Sequence, residues 1–196
     1  MKQAVIGMRV HSGWGALVAV AHGNDALQIV ERCMIVIIDP QAPGAMQPYH
    51  YAEPMPLAAA EKHIAYCAAA SSRLALEALT QLSAQLRDHG FVLAGSAILL
   101  SSAKPLPPLD RVLSSHALIH TAEGEFFRQA FRSALERLQV PVTGIREHEL
   151  EEHAAKTFGR SVAAIQRHLD TMGRSLGPPW TKDQKIAALA AAIVLA

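Results

Sequence analysis

Three groups of side chains in this 196-residue chain have the types and spacing to do chemistry. His116 and His120 stand at i and i+4 with Glu123 close behind, a spacing that on one helix face suits a zinc ion. Against that reading, Leu118 and Ile119 intervene and Thr121 is a good N-cap, so a helix is expected to begin only there and the pair is read as incidental. Glu147-His148-Glu149-Leu150-Glu151-Glu152-His153 also holds ligand types, but acids collect at helix starts because the dipole favours them, and a solvated helix start is the preferred reading. Tyr49-His50-Tyr51 sits in a Pro-rich loop from Gln41 to Pro56, where aromatic faces can stack bases or meet a partner. A loop packed over its own helix is the simpler expectation. No Ser-His-Asp order, phosphate-cradling loop or dinucleotide glycine pattern occurs; Gly7, Gly13 and Gly15 are assigned to a strand turn.

Charge narrows the partners. Lys plus Arg number 18 against 17 Asp plus Glu, so no long-range field draws the whole molecule to nucleic acid or to an acidic membrane. Residues 156–185 differ: Lys156, Arg160, Arg167, Arg174, Lys182 and Lys185 face only Asp170 and Asp183, a net charge of +4. Cys33 and Cys67 lie in apolar stretches without metal-knuckle or redox spacing and are expected as reduced core residues. Met1-Lys2-Gln3 leads straight into an apolar strand rather than a signal core, which points to a cytoplasmic protein. The Ala-rich end, Ile186 to Ala196, is much shorter than the ~20 residues of a membrane span and reads as a buried helix.

The elements that must position these groups can be read in order. Residues 4–10 form an apolar run broken only by Gly7 and Arg9, as expected of a central strand covered on both faces. Gly13 to Ala21 and Leu27 to Ile38 give two more strands, separated by the turn His22-Gly23-Asn24-Asp25. Leu57 to His89 is a long helix, with Ser71-Ser72 a candidate bend and Gly90 its stop. Phe91 to Leu100 is a strand ended by the proline loop 101–108, and Thr121 to about Leu138 is a helix. A short strand spans Val140 to Ile145. Helices follow over Leu150 to Phe158, Val162 to Met172 and from near Thr181, with a break at Gly177-Pro178-Pro179-Trp180. Turn-linked strands pair antiparallel and helix-linked strands pair parallel. The expected fold is α/β: one domain over residues 1–196, with a five-stranded mixed sheet, three antiparallel strands then two parallel, the first strand central and helices on both faces.

This layout resembles the ribonuclease H-like superfamily, and within it the RuvC-type Holliday-junction resolvases. Ala122-Glu123-Gly124, Leu138-Gln139-Val140-Pro141-Val142, Ser161 to His168 and Ala188-Leu189-Ala190-Ala191-Ala192-Ile193 have similar counterparts in similar order. The resemblance implies three or four carboxylates holding two divalent metals that cleave a phosphodiester. Here the first position falls on Met8 or Arg9, the second near Ser96, and the last pair around Gln184 and Ala187. Only Asp183 remains, expected out of register by about one residue, or roughly 100° of helix rotation. No metal is therefore expected to bridge the first strand and the last helix, and no cofactor is expected. The same resemblance places Arg9, His11 and Ser12, Ser101 and Lys104, Arg146, and Lys182, Asp183 and Lys185 around one cleft. With free amides at the start of the last helix, that set suits an anion. Arg9, Lys104, Arg146, Lys182 and Lys185 are the candidate anion or nucleic-acid contacts, and Trp14 and Trp180 are expected near the two ends of the cleft. The preferred function is a binding module for nucleic acid or another protein, without two-metal nuclease activity; a homodimer is one arrangement left open. The alternative is a hydrolase or nuclease with a rebuilt site, for which His11, His116, Glu123 and Asp183 are the candidate acids and bases.

Overall fold

A computed structural model describes the chain apart from Asp25 and residues 101–104; the side chains of Arg174 and Ser175 also lie outside the description. Ser101, Lys104 and the turn residue Asp25 are thus outside the described residues. Five strands, β1 (Lys2–His11), β2 (Trp14–His22), β3 (Leu27–Val36), β4 (Phe91–Leu100) and β5 (Val142–Arg146), form one sheet in the order β3-β2-β1-β4-β5. β1 is central, antiparallel to β2 and parallel to β4; β2 pairs antiparallel with β3, and β4 parallel with β5. Gly13, at a φ of +83°, makes the tight turn between β1 and β2, a conformation that costs a residue with a Cβ but not glycine.

The two faces of β1 build two cores. Ile6, Met8 and Val10 point into one with Leu17, Phe127 and Phe131, covered by the helices α2 (Leu57–Asp88) and α4 (His116–Arg137). Two one-turn helices precede them in sequence, α1 (Pro48–Ala52) before α2 and α3 (Leu109–Leu113) before α4. Val5 points into the other core with Val18, Ala97, Leu99 and Ile145, covered by α5 (Leu150–Phe158), α6 (Val162–Leu176) and α7 (Lys182–Leu195). The alanine run explains itself here: Ala187, Ala188, Ala190 and Ala191 let the α7 backbone approach β1 so closely that a Cβ on Gly7 would sit 1.8 Å from the Ala187 carbonyl oxygen. Gly7 therefore serves this approach rather than the turn assigned to it, and Gly15 lies within β2 under the Phe131 ring.

Three sequence expectations are corrected. α4 begins at His116, five residues before the expected start, because Thr121 turns its hydroxyl back to the Ala117 carbonyl instead of capping. The Pro-rich loop holds α1, whose start at Pro48 fits the N1 preference of proline, and α1 packs on α2 and α4. Ser71-Ser72 does not interrupt α2, which runs for 32 residues with Cys67, Ser71, Ala75, Leu79, Leu82 and Leu86 on its buried stripe.

Candidate functional site

Parity along β1 decides what the cleft contains. With Ile6 and Met8 turned to α2 and α4, Arg9 and His11 face α7. The β4 partner of Met8 is Ile98, so the neighbour of Arg9 on this face is Leu99, buried and apolar. Ser96 is buried with its hydroxyl donated to the Pro141 carbonyl at 2.8 Å. The carboxylates that reach Arg9 come instead from Glu147, just past β5, and Asp183 in the first turn of α7.

Arg9 lies between them. Its Nη2 and Nε donate to the two oxygens of Glu147 at 2.7 and 3.3 Å, and its Nη1 donates to Asp183 Oδ1. A guanidinium is a rigid planar fork, so one side chain can hold a bidentate carboxylate on one edge and a second carboxylate at the other nitrogen. Burial works against the Arg9 charge, but the hydrogen bonds and attraction of Glu147 and Asp183 outweigh it, and its pKa lies above the ordinary value. Asp183 thus stands in the cleft against the end of β1, among the residues expected to line it.

His11 completes the group. Its ring stacks on Trp14 with centroids 4.4 Å apart and an interplanar angle of 17°. Its Nε2 lies 3.4 Å from Asp183 Oδ1, near enough for charge attraction but without hydrogen-bond geometry, and that nitrogen is buried without a hydrogen-bond partner. A further cation, invisible to sequence reasoning, reaches the same end from α4: Arg128 Nε donates to the Leu99 carbonyl at 3.0 Å. Burial pushes the Arg128 pKa below its ordinary value, with Glu125 and Glu147 opposing the shift. Only the i, i+3 spacing from Glu125 marked Arg128 in the sequence, and that spacing says nothing about β4.

The remaining candidates separate. Arg146 pairs with Glu149 at 2.9 Å and Lys185 with Asp170 at 2.6 Å, while Lys182 is exposed. The α7 amides are less free than expected, because Thr181 and Gln184 form a reciprocal capping box: the Gln184 amide donates to Thr181 Oγ1 at 3.3 Å and the Thr181 amide to Gln184 Oε1 at 2.9 Å. The acids of 147–153 disperse into separate pairs, Glu147 to Arg9, Glu149 to Arg146 and Glu152 to Lys156. Trp14 does stand at the cleft, whereas Trp180 packs on α6, its Nε1 donating to the Leu169 carbonyl at 3.0 Å. Cys33 and Cys67 are unpaired thiols; burial, with Glu31 nearby, pushes Cys33 up to about 11.

His116 and Glu123 do not join this cleft. Both are on α4, on the opposite side of the sheet from α7, where they meet His50 of α1 and His120. A groove of about 430 Å³ between α5, α6 and α7 adjoins the Arg9 cluster and carries Glu147, Lys182 and Lys185 on its wall. A more apolar cavity of about 570 Å³, lined by Val20, Leu27, Phe158, Ile165 and Met172, opens at the far end of the sheet.

No family model matches the chain, and a comparison of its sequence with curated proteins found no match. Solved structures do match its fold. The RuvC of Thermus thermophilus in complex with a Holliday-junction substrate superposes with a TM-score of 0.53 at 12% identity, over 97% of this chain and 91% of that one. A second Thermus thermophilus RuvC structure gives 0.50 at 14% identity, over 97% of this chain and 92% of that one. The fold is ribonuclease H-like, of the RuvC type, with the mixed five-stranded sheet and helical layers expected from the sequence.

Proposed function

Starting from a RuvC-type fold, we propose that this chain binds nucleic acid without cutting it by the two-metal route. The observation that carries the reading is the position of Arg9. A two-metal site needs several carboxylates converging on hard cations. At the end of the sheet facing α7, β1 contributes a guanidinium and β4 contributes Leu99, and Arg9 holds the carboxylates of Glu147 and Asp183. A fixed side-chain cation stands where mobile divalent cations would be needed, and a divalent ion would have to displace a bidentate pair to enter.

Binding would then rest on the basic segment outside the clamp. Arg160, Arg167 and Lys182 are exposed along the α6 and α7 side, and Lys182 lines the groove that leads to the Arg9 cluster. Phosphate contacts of this kind carry affinity without reading sequence. The RuvC relative whose structure contains a Holliday junction makes a branched duplex the first substrate to try. Fluorescence anisotropy with four-way, duplex and single-stranded DNA and with RNA tests this, in Mg²⁺ and in Mn²⁺. Affinity should fall with salt at a log-log slope of roughly −0.9 per contacted phosphate on duplex. Charge reversal at Lys182, Arg160 and Arg167 should lower both affinity and slope, with the nucleic acid recovered intact. Affinity indifferent to salt and to these substitutions would favour a protein partner. Metal-dependent cleavage would favour a hydrolase built on His11 and Asp183.

A further inference from the structure

On the α2 and α4 side of the sheet, two histidines one helical turn apart meet a third that is distant in sequence. His116 and His120 sit one turn apart at the start of α4, their Nε2 atoms 3.0 Å apart. His50 of α1 closes over them, its ring centroid 4.8 Å from that of His120 and 5.3 Å from that of His116. One ligating nitrogen from each falls within 4.8 Å of the others. Four zinc bonds of 2.0–2.1 Å at tetrahedral angles place ligand atoms about 3.3–3.4 Å apart, a spacing within reach of small ring rotations from this arrangement.

Glu123, one turn beyond His120, fixes the third histidine. Its Oε1 accepts the backbone amides of Tyr49 at 2.9 Å and His50 at 3.1 Å, and lies 3.3 Å from His50 Nδ1. A carboxylate against Nδ1 selects the tautomer that carries its proton there and leaves the Nε2 lone pair free, the pattern that orients histidine toward a metal. Glu123 is only 4% exposed, and its Oε2 is buried without a hydrogen-bond partner. A buried carboxylate with an unused oxygen is costly unless a positive charge stands near. The titratable neighbours on α2 do not supply one by ion pairing: Cys67 Sγ contacts His63 Nε2 at 3.6 Å, and His63 packs on Tyr51. His116 and His120 are exposed, so the side of the triangle away from Glu123 is open to water.

We propose that His50, His116 and His120 bind one divalent transition-metal ion of the zinc class, with Glu123 positioning His50. Neutral imidazoles select Zn²⁺, Co²⁺, Ni²⁺ or Cu²⁺ over Mg²⁺ or Ca²⁺. Three protein ligands with an open side are the arrangement that leaves a coordination position for water or substrate. The inference does not depend on the nucleic-acid reading, since none of its residues lies in the Arg9 cleft.

Chelator-stripped protein titrated with Zn²⁺ alone, followed by calorimetry, and with Co²⁺ alone, followed by visible absorption, tests it. One equivalent should bind at neutral pH, with the intense bands of four-coordinate Co²⁺, and affinity should weaken in acid, because protons compete with the metal for the ligand nitrogens. Exposed His116→Ala and His120→Ala should each lose at least 100-fold in affinity with unchanged circular dichroism. Glu123→Gln should lose about 10–100-fold while keeping the stoichiometry. His148→Ala, on the other side of the sheet, should change nothing. Wild-type protein that takes up no Zn²⁺ at micromolar concentration, or a His116→Ala/His120→Ala double variant that binds as well as wild type, would overturn the site. Unchanged affinity in Glu123→Gln would overturn the positioning role.

Discussion

Replacing Arg9 by methionine removes the charge but keeps a long apolar stem, and so isolates what the clamp contributes. Arg9 and Asp183 are 21% and 23% exposed at the side chain, between a surface pair, worth about 0.2–1 kcal/mol, and a buried one, whose breakage costs about 3–5 kcal/mol. About 1.5 kcal/mol is a fair value for that pair. Glu147 is 42% exposed, so despite its bidentate contact we assign it only about 0.5 kcal/mol. Arg9→Met should then cost about 2 kcal/mol, or roughly 4–8 °C in Tm for a chain of this length. Circular-dichroism melts at low and high salt measure it. The loss should persist at 0.5 M salt, because a partly buried pair is screened less than a surface one. The triple variant Arg9→Met/Glu147→Gln/Asp183→Asn should recover most of the loss, since removing all partners leaves no uncompensated charge. Mn²⁺ should raise the Tm of Arg9→Met, whose two carboxylates are released, and leave wild type unmoved. An Arg9→Met variant as stable as wild type, or a triple variant no better than the single, would refute the reasoning.

Two further outcomes follow from packing and from burial. Gly7→Ala should cost about 3 kcal/mol or more, at the upper end of overpacking, because the atoms its methyl meets are the α7 backbone at Ala187 and Ala191, which cannot swing aside; a chemical-denaturation midpoint near wild type would contradict the close approach. Burial pushes the Glu123 carboxyl above its ordinary value, opposed by its bonds to His50 and Tyr49. In metal-free protein the folded state therefore holds this proton more tightly than the unfolded state, and its contribution to stability is lost as pH rises from about 4.3 through the elevated folded value. Glu123→Gln should flatten that decline in urea-unfolding free energies measured from pH 4 to 8, and an identical decline in the variant would show that another group causes it.

The sheet was legible because its signals are local: β-branched runs, a glycine turn and strand-helix alternation set strand order without knowledge of any long-range contact. The site was legible only in part. Arg9, His11 and Asp183 could be placed at one cleft, but the contacts among them could not, because a shift of one residue on a helix is smaller than the uncertainty of a register read from sequence. Glu147 was hidden among acids that a helix start attracts anyway. The histidine cluster was missed because its third member lies 66 residues before His116, in a stretch rich in prolines, and because Thr121 has the chemistry of a cap while spending its hydroxyl on the preceding turn.

The most direct test of the Arg9 account is crystallographic. Crystals soaked in Mn²⁺, with data collected at the manganese edge, should show the Arg9 guanidinium between Glu147 and Asp183 and no anomalous peak between β1 and α7. A strong peak bridging Glu147 and Asp183, with Arg9 displaced, would contradict the claim that the Arg9 guanidinium keeps divalent ions from these two carboxylates.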